Sequence, residues 1–243
     1  MALTPTLNEL TFSVLNTVRA RTNISELISL EQIKFLVKSV RAQLIKQDAN
    51  KGYSPDSYII QDLGCVALTQ VDPAECCDVE VGCTILRTDK PIPSVIELHH
   101  QQLLTRVGSV DKTQPSYDFI PYERVPYEQY NKFTRNRIKA YLMNNGGYMY
   151  FIVPNDKTKL LKYVNIQGVF EDPEQVAVFS PCSGSLASAC YTDDTPFPVK
   201  EWMVPTIIDM VVKLFIRPEA AAATDSTSNN KLDTEPPLAA QQV

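Results

Sequence analysis

Residues 61 to 111, QDLGCVALTQVDPAECCDVEVGCTILRTDKPIPSVIELHHQQLLTRVGSVD, constrain the fold more than any other stretch of the chain. Cys65 to Val71, Gly82 to Thr88 and Leu103 to Val110 are short β-like runs separated by turn residues, the pattern of strands in a half-buried sheet. The same stretch holds four of the six cysteines and both histidines. Helical patterns precede it, and a second β region, one more helix and a polar terminus follow. This order predicts an α+β fold: a small helical bundle of two N-terminal helices and one C-terminal helix, with an inserted antiparallel β-rich domain and an extended C-terminal arm. The expected divisions are 1–57, 58–198, 199–217 and 218–243.

Two capping boxes mark the early helices, Thr6-Leu-Asn-Glu9 and Ser29-Leu-Glu-Gln32. The first opens a helix to Arg21 whose apolar stripe is Leu7, Leu10, Val14, Leu15 and Val18. The second opens a helix to about Lys46 with Leu30, Ile33, Val37, Val40 and Leu44 on one face. Lys34, Lys38, Arg41 and Lys46 fall on what reads as the solvated side of that helix. Pro91 and Pro93 exclude a central strand for their segment, because proline cannot donate to a ladder. Ile138 to Met143 and Tyr148 to Val153 flank Asn144-Asn145-Gly146-Gly147 as a hairpin with a type I′ turn. Leu160 to Phe170 reads as another strand, and Asp172-Pro173 as the start of a short helix. The last helix begins near Val204-Pro205, presents Ile208, Val211, Val212 and Phe215, and ends before Pro218.

Between Gln114 and Tyr141, aromatic and basic residues interleave. Tyr117, Tyr122, Tyr127, Tyr130 and Phe133 alternate with Arg124, Lys132, Arg135, Arg137 and Lys139, and prolines stiffen the segment. Tyr and Arg in such a setting favour a protein interface, with Tyr117, Tyr122, Arg124, Tyr127, Tyr130, Phe133, Arg135 and Arg137 as its candidate residues. A single-strand nucleic-acid platform is the alternative for the same pattern, and Asp118, Glu123 and Glu128 offset much of the charge it would need. Residues 180–198 form a long loop of small and polar residues that suits a contact. From residue 220 onward the composition is that of a tail with almost no apolar surface, where Leu232, Pro236, Pro237 and Leu238 are the candidates for contact with another chain.

The 23 basic and 28 acidic residues give a net charge of −5, which disfavours nonspecific attraction to nucleic acid or anionic membrane. No apolar run reaches the roughly 20 residues a membrane-spanning helix needs, and the N-terminal stretch lacks a signal-peptide pattern, so a non-exported chain without membrane partners is expected. Eight glycines against 17 prolines favour extended, wrapping connections over phosphate-binding loops. The motifs of nucleotide, zinc-protease, serine-hydrolase and calcium sites are absent from the sequence. Cys65, Cys76, Cys77 and Cys83 do not show the two-to-four-residue spacing of a structural zinc knuckle. With His99 or His100 they leave a cysteine- or zinc-dependent enzyme as the alternative function; the principal reading has no catalytic residue, no cofactor and no metal.

Several phrases carry a resemblance: Gln61-Asp-Leu-Gly-Cys65, Cys76-Cys77, Val81-Gly-Cys83-Thr-Ile-Leu-Arg87-Thr, Ile96-Glu-Leu-His-His100, Phe119-Ile-Pro-Tyr-Glu-Arg124-Val-Pro-Tyr127, Lys162-Tyr-Val164 and Gly168-Val-Phe-Glu-Asp-Pro173. Over roughly residues 7 to 179 the chain resembles the head-to-tail joining ring (adaptor) proteins of crAss-like tailed phages. The resemblance implies a virion protein in the neck between capsid portal and tail, assembled in the bacterial host cytoplasm. It implies a ring of twelve copies, partnered by the portal protein and further neck or tail rings, with double-stranded DNA passing through the lumen during packaging and ejection. Twelve copies at −5 each would carry about −60, a wall along which DNA slides without sticking.

Overall fold

The computed structural model of the chain describes residues 5–21, 28–71, 85–99, 101–128, 130, 132–134, 136–143, 146–154, 161–179 and 192–215. Local chemistry sets the first helix, α1 (Leu7–Arg21). Thr6 Oγ1 accepts from the Glu9 backbone N–H at 3.1 Å, while Glu9 Oε2 accepts from the Thr6 N–H at 3.0 Å, a closed capping box. Ser29 caps α2 (Leu30–Asn50) by accepting from Gln32 N–H at 3.1 Å. This helix continues past Lys46 to Asn50, so the following loop starts later than its turn-forming composition suggests. Asp172 Oδ1 accepts from Glu174 N–H and starts α4 (Pro173–Phe179), with proline in its expected first position. The last helix, α5, spans 203–215 with Pro205 inside its first turn, where a missing N–H leaves no bond unmade.

Seven strands make one sheet: β1 (Gln61–Gln70), β2 (Ile85–Thr88), β3 (Leu104–Gly108), β4 (Asp118–Phe119), β5 (Lys139–Met143), β6 (Tyr148–Ile152) and β7 (Tyr163–Gly168). Their spatial order is β3-β7-β1-β2-β6-β5-β4. All neighbours are antiparallel except β4 and β5, which depart from the expected antiparallel arrangement. Parallel neighbours need a long crossover, and the excursion between Phe119 and Lys139 supplies it. At the two edges Gly108 bridges Ser116, and Tyr117 N–H donates to Val107 O at 2.7 Å, so the sheet nearly closes into a barrel.

β1 starts four residues earlier than its hydrophobic alternation suggests, because a bulge between Asp62 and Cys65 resets the period: Leu63 and Val66, three apart, are both buried. Gly64 takes φ 73° there, a value costly for any side chain-bearing residue. At the β5–β6 hairpin, Met143 pairs with Tyr148, leaving a four-residue connection in which Gly146 and Gly147 have positive φ. Asn144 and Asn145, on which the type I′ expectation rests, lie outside the described residues.

Among the described residues two apolar clusters form the core. One fills the sheet, with Leu63, Val66, Leu86, Val107, Met149, Phe151, Val164, Ile166 and Phe170 among its members. The other takes Leu10, Val14 and Val18 from α1, Ile33, Val37, Val40 and Leu44 from α2, and Met203, Ile207 and Val211 from α5; Ile59, Ile96, Leu103, Val169, Phe197 and Val199 join it from the β part. Each such aliphatic side chain contributes roughly 1.5–3 kcal/mol relative to exposure.

The structure corrects three helical expectations. Leu30 is exposed, because at the first position of α2 it lies beyond the cluster. On α5 the buried row is Met203, Ile207, Val211 and Val212, while Ile208 and Phe215 only flank it. Arg41 is not on a solvated face: it is fully buried, donating through Nε to Pro198 O at 2.7 Å and through Nη1 to Phe170 O at 3.0 Å, with its guanidinium over the Phe197 ring. Lys34 pairs with Asp193, and Lys38 with Asp172 and Glu174. Lys34, Lys38 and Arg41 therefore clamp the helical part to the segments around 170–174 and 193–198, while Lys46 is exposed as expected.

Candidate subunit interface

The crossover from β4 to β5 projects from the sheet edge. It runs through a 3-10 turn (Tyr122–Arg124) and a four-residue helix, α3 (Val125–Glu128), before turning back to Lys139. Its base is pinned by charge. Lys139 is buried and meets Glu128 twice, Nζ to Oε2 at 3.0 Å and Nζ to the backbone O at 2.9 Å. Thr134 Oγ1 adds a hydrogen bond to the same carboxylate, and Arg137 lies 3.6 Å from Asp118. The Lys139 hydrogen bond holds the Glu128 carboxyl below its ordinary pKa. Lys139, which the sequence counts among the interleaved cations, is thus an inward tether.

With the base fixed, the aromatics face outward. Tyr122 is 53% exposed, Tyr127 74%, Tyr130 78% and Phe133 94%. So many large apolar side chains on one projection are a mark of a contact surface. Arg124, Lys132 and Arg137 are exposed beside them. Tyr117 does not join this group: it packs edge-on against Phe151 with ring centroids 6.5 Å apart, and burial pushes its phenol above the ordinary pKa. Arg135 lies outside the described residues.

Sequence reasoning missed the support under Tyr122. Its ring meets that of Tyr141 at 6.1 Å, and Tyr141 stacks on Tyr150 at 5.4 Å. Tyr141 and Tyr150 are cross-strand partners in the β5–β6 hairpin, so counting register outward from the Met143–Tyr148 pair would have found them. Beside this row a cleft of about 860 Å³ opens between the 97–102 turn and the 119–124 segment, with Leu98, Phe119, Tyr122, Arg124 and Leu142 in its walls.

The chain as a whole matches the model of the phage tail ring protein 2 family over residues 9–234. The chain belongs to that family. A curated relative, "Ring protein 2" of Bacteroides phage crAss001, is 29% identical over 233 residues, covering 94% of this chain and 97% of the relative. The resemblance to crAss-like ring proteins is borne out, and this tail ring protein is a structural component of a phage virion.

The residues of the alternative enzymatic reading are not assembled by what is described of the ring protein. Cys65 is exposed on β1 and His99 is exposed in the turn after Ile96, while Cys76, Cys77, Cys83 and His100 lie outside the described residues. Among the described residues no group of three His, Cys, Asp or Glu side chains is placed to hold a metal, and no helix is long and apolar enough to cross a membrane. Most of the 180–198 loop, and the arm with Leu232, Pro236, Pro237 and Leu238, also lie outside them.

Proposed function

We propose that the chain is the subunit of a homo-oligomeric ring of twelve copies that docks to the portal, extends the DNA channel towards the tail, and acts in genome retention and ejection without enzymatic chemistry. The observation that carries the reading is the β4–β5 projection, whose exposed aromatics stand on a base fixed by Lys139 and Glu128. Residues that are rigid, aromatic and solvent-facing lose little entropy on docking and bury much apolar area, which is how interface anchors act. Within each subunit α1, α2 and α5 form one bundle into which the β part is inserted, and the apolar cluster they share supports this. The segment 218–243 serves as an arm to a neighbouring subunit or ring.

Mass measurement of the assembled particle, alone and mixed with portal protein, tests the reading. Tyr127→Ala with Tyr130→Ala should weaken assembly by about thirtyfold or more, the equivalent of at least about 2 kcal/mol. A wild-type chain that stays monomeric at high concentration, or a variant that assembles as well as wild type, would refute it.

A further inference from the structure

A ring closed by rotation cannot be built from one surface. Head-to-tail contacts pair two different patches, so a subunit whose neighbours are copies of itself carries both halves. The projection is one half on the reading above. A second gathering of exposed aromatics lies where the end of α2 meets the start of α5. Tyr53 (65% exposed) and Tyr58 (70%) sit on the turn after α2, and Trp202 (50%) on the turn before α5.

The two turns that carry these side chains meet: Tyr53 lines their shared depression, and Tyr58 and Trp202 each precede a residue that lines it, Ile59 and Met203. Lys200 Nζ lies 3.1 Å from Asp56 Oδ2, joining the two turns, and a shallow depression is lined jointly by Tyr53, Pro55, Ile59, Lys200 and Met203. Backbone hydrogen bonds from Tyr53 to Asp48 O and from Ile59 to Asp56 O fix the turn. Three half-exposed aromatics on two joined turns suit the receiving half of an interface in composition, each with roughly 100–150 Å² still to bury.

Charge favours the projection as the occupant. With the Arg137–Asp118 and Lys139–Glu128 pairs set aside, the projection keeps Arg124 and Lys132 against Glu123, one net positive charge among the described residues. With Lys200–Asp56 set aside, the junction keeps Asp48 and Glu201 against Lys51, one net negative charge. We propose that the Tyr53/Tyr58/Trp202 junction is the second half of the subunit contact and receives the aromatic projection of a neighbouring copy. This rests on the reading of the projection as an interface.

A mixing experiment separates the two claims. One variant loses the projection (Tyr127→Ala, Tyr130→Ala) and the other the junction (Tyr58→Ala, Trp202→Ala). Each alone should be monomeric, its contact weakened by about thirtyfold or more. Mixed in equal amounts, they should form a one-to-one dimer of wild-type strength and stop there, because each keeps the half that the other lacks. A junction variant that still closes rings overturns this proposal and leaves the projection reading intact. A projection variant that closes rings, or a wild type that stays monomeric, overturns both. Homodimers of either variant, or a mixture that stays monomeric, overturn the pairing. If either alanine variant loses its fold, Lys132→Glu and Glu201→Lys replace them. Each alone should lose assembly, and the mixture should regain it beyond the dimer, because the reversed charges complement each other at every second contact; a mixture that stays monomeric overturns the pairing.

Discussion

Replacing Arg41 with methionine should be the most damaging conservative change in the helical part. Methionine fills a similar volume but donates nothing, so Phe170 O and Pro198 O each lose a hydrogen bond from a charged donor, at 3.0 and 2.7 Å. Such bonds are worth roughly 1.5–3 kcal/mol each, and the Phe170 bond is buried, where no water replaces it. Removing a buried charge returns part of this, since the guanidinium no longer has to be desolvated. The expected net loss is about 3–4 kcal/mol, which for a chain of this size lowers the melting temperature by about 10 °C. Arg41→Lys keeps the charge but not the fork that reaches two carbonyls at once, and should recover less than half of the loss. Calorimetry and urea unfolding of the isolated chain measure both variants. A melting temperature for Arg41→Met within about 2 °C of the parent would mean that the clamp contributes little, and the reasoning would be wrong.

Thr6→Ala should cost about 1 kcal/mol in urea unfolding by opening the capping box of α1; an unchanged midpoint would deny the box its role. Burial pushes the Asp62 carboxyl up, but hydrogen bonds from Lys112, Gln167, the Gly64 N–H and Asn165 outweigh it and leave the pKa below the ordinary value. The folded state therefore gains from ionised Asp62 above the ordinary aspartate range, and loses that gain as the pH falls below about 4 towards the folded pKa. Melting temperature against pH should fall less steeply between about pH 5 and 3 for Asp62→Asn than for the parent, although the variant is weaker at neutral pH; parallel curves would exclude Asp62 as a source of acid sensitivity. Deleting residues 218–243 should leave the melting temperature of the isolated subunit nearly unchanged while weakening incorporation into the ring or portal complex. A truncated chain that melts several degrees earlier yet assembles normally would reverse that assignment.

The segment proposed as an interface was legible in part. Its aromatics and prolines are contiguous in sequence, so their composition marked the projection, and the structure exposes Tyr122, Tyr127, Tyr130 and Phe133 as a contact surface requires. Tyr117 and Lys139 carry the same composition but fold inward, because they adjoin β4 and β5, whose neighbours bury them. The Tyr53/Tyr58/Trp202 junction had no signal at all, since its parts are separated by most of the chain.

By itself the sequence determined what depends on near neighbours. Thr6 with Glu9, Ser29 with Gln32 and Asp172 with Glu174 act within three residues, so the helix starts follow from spacing alone. Most strands of the β part follow likewise from alternation, except where the Gly64 bulge broke it and at β4, which is too short to alternate and lay in the segment read as an interface. Only the tertiary structure decided the strand order, the near-closure of the sheet and the fate of Arg41, whose acceptors Phe170 and Pro198 lie 129 and 157 residues away. An arginine on a helix reads as solvated until a distant segment brings carbonyls and an aromatic ring to it, because the sequence pattern does not say which surfaces meet.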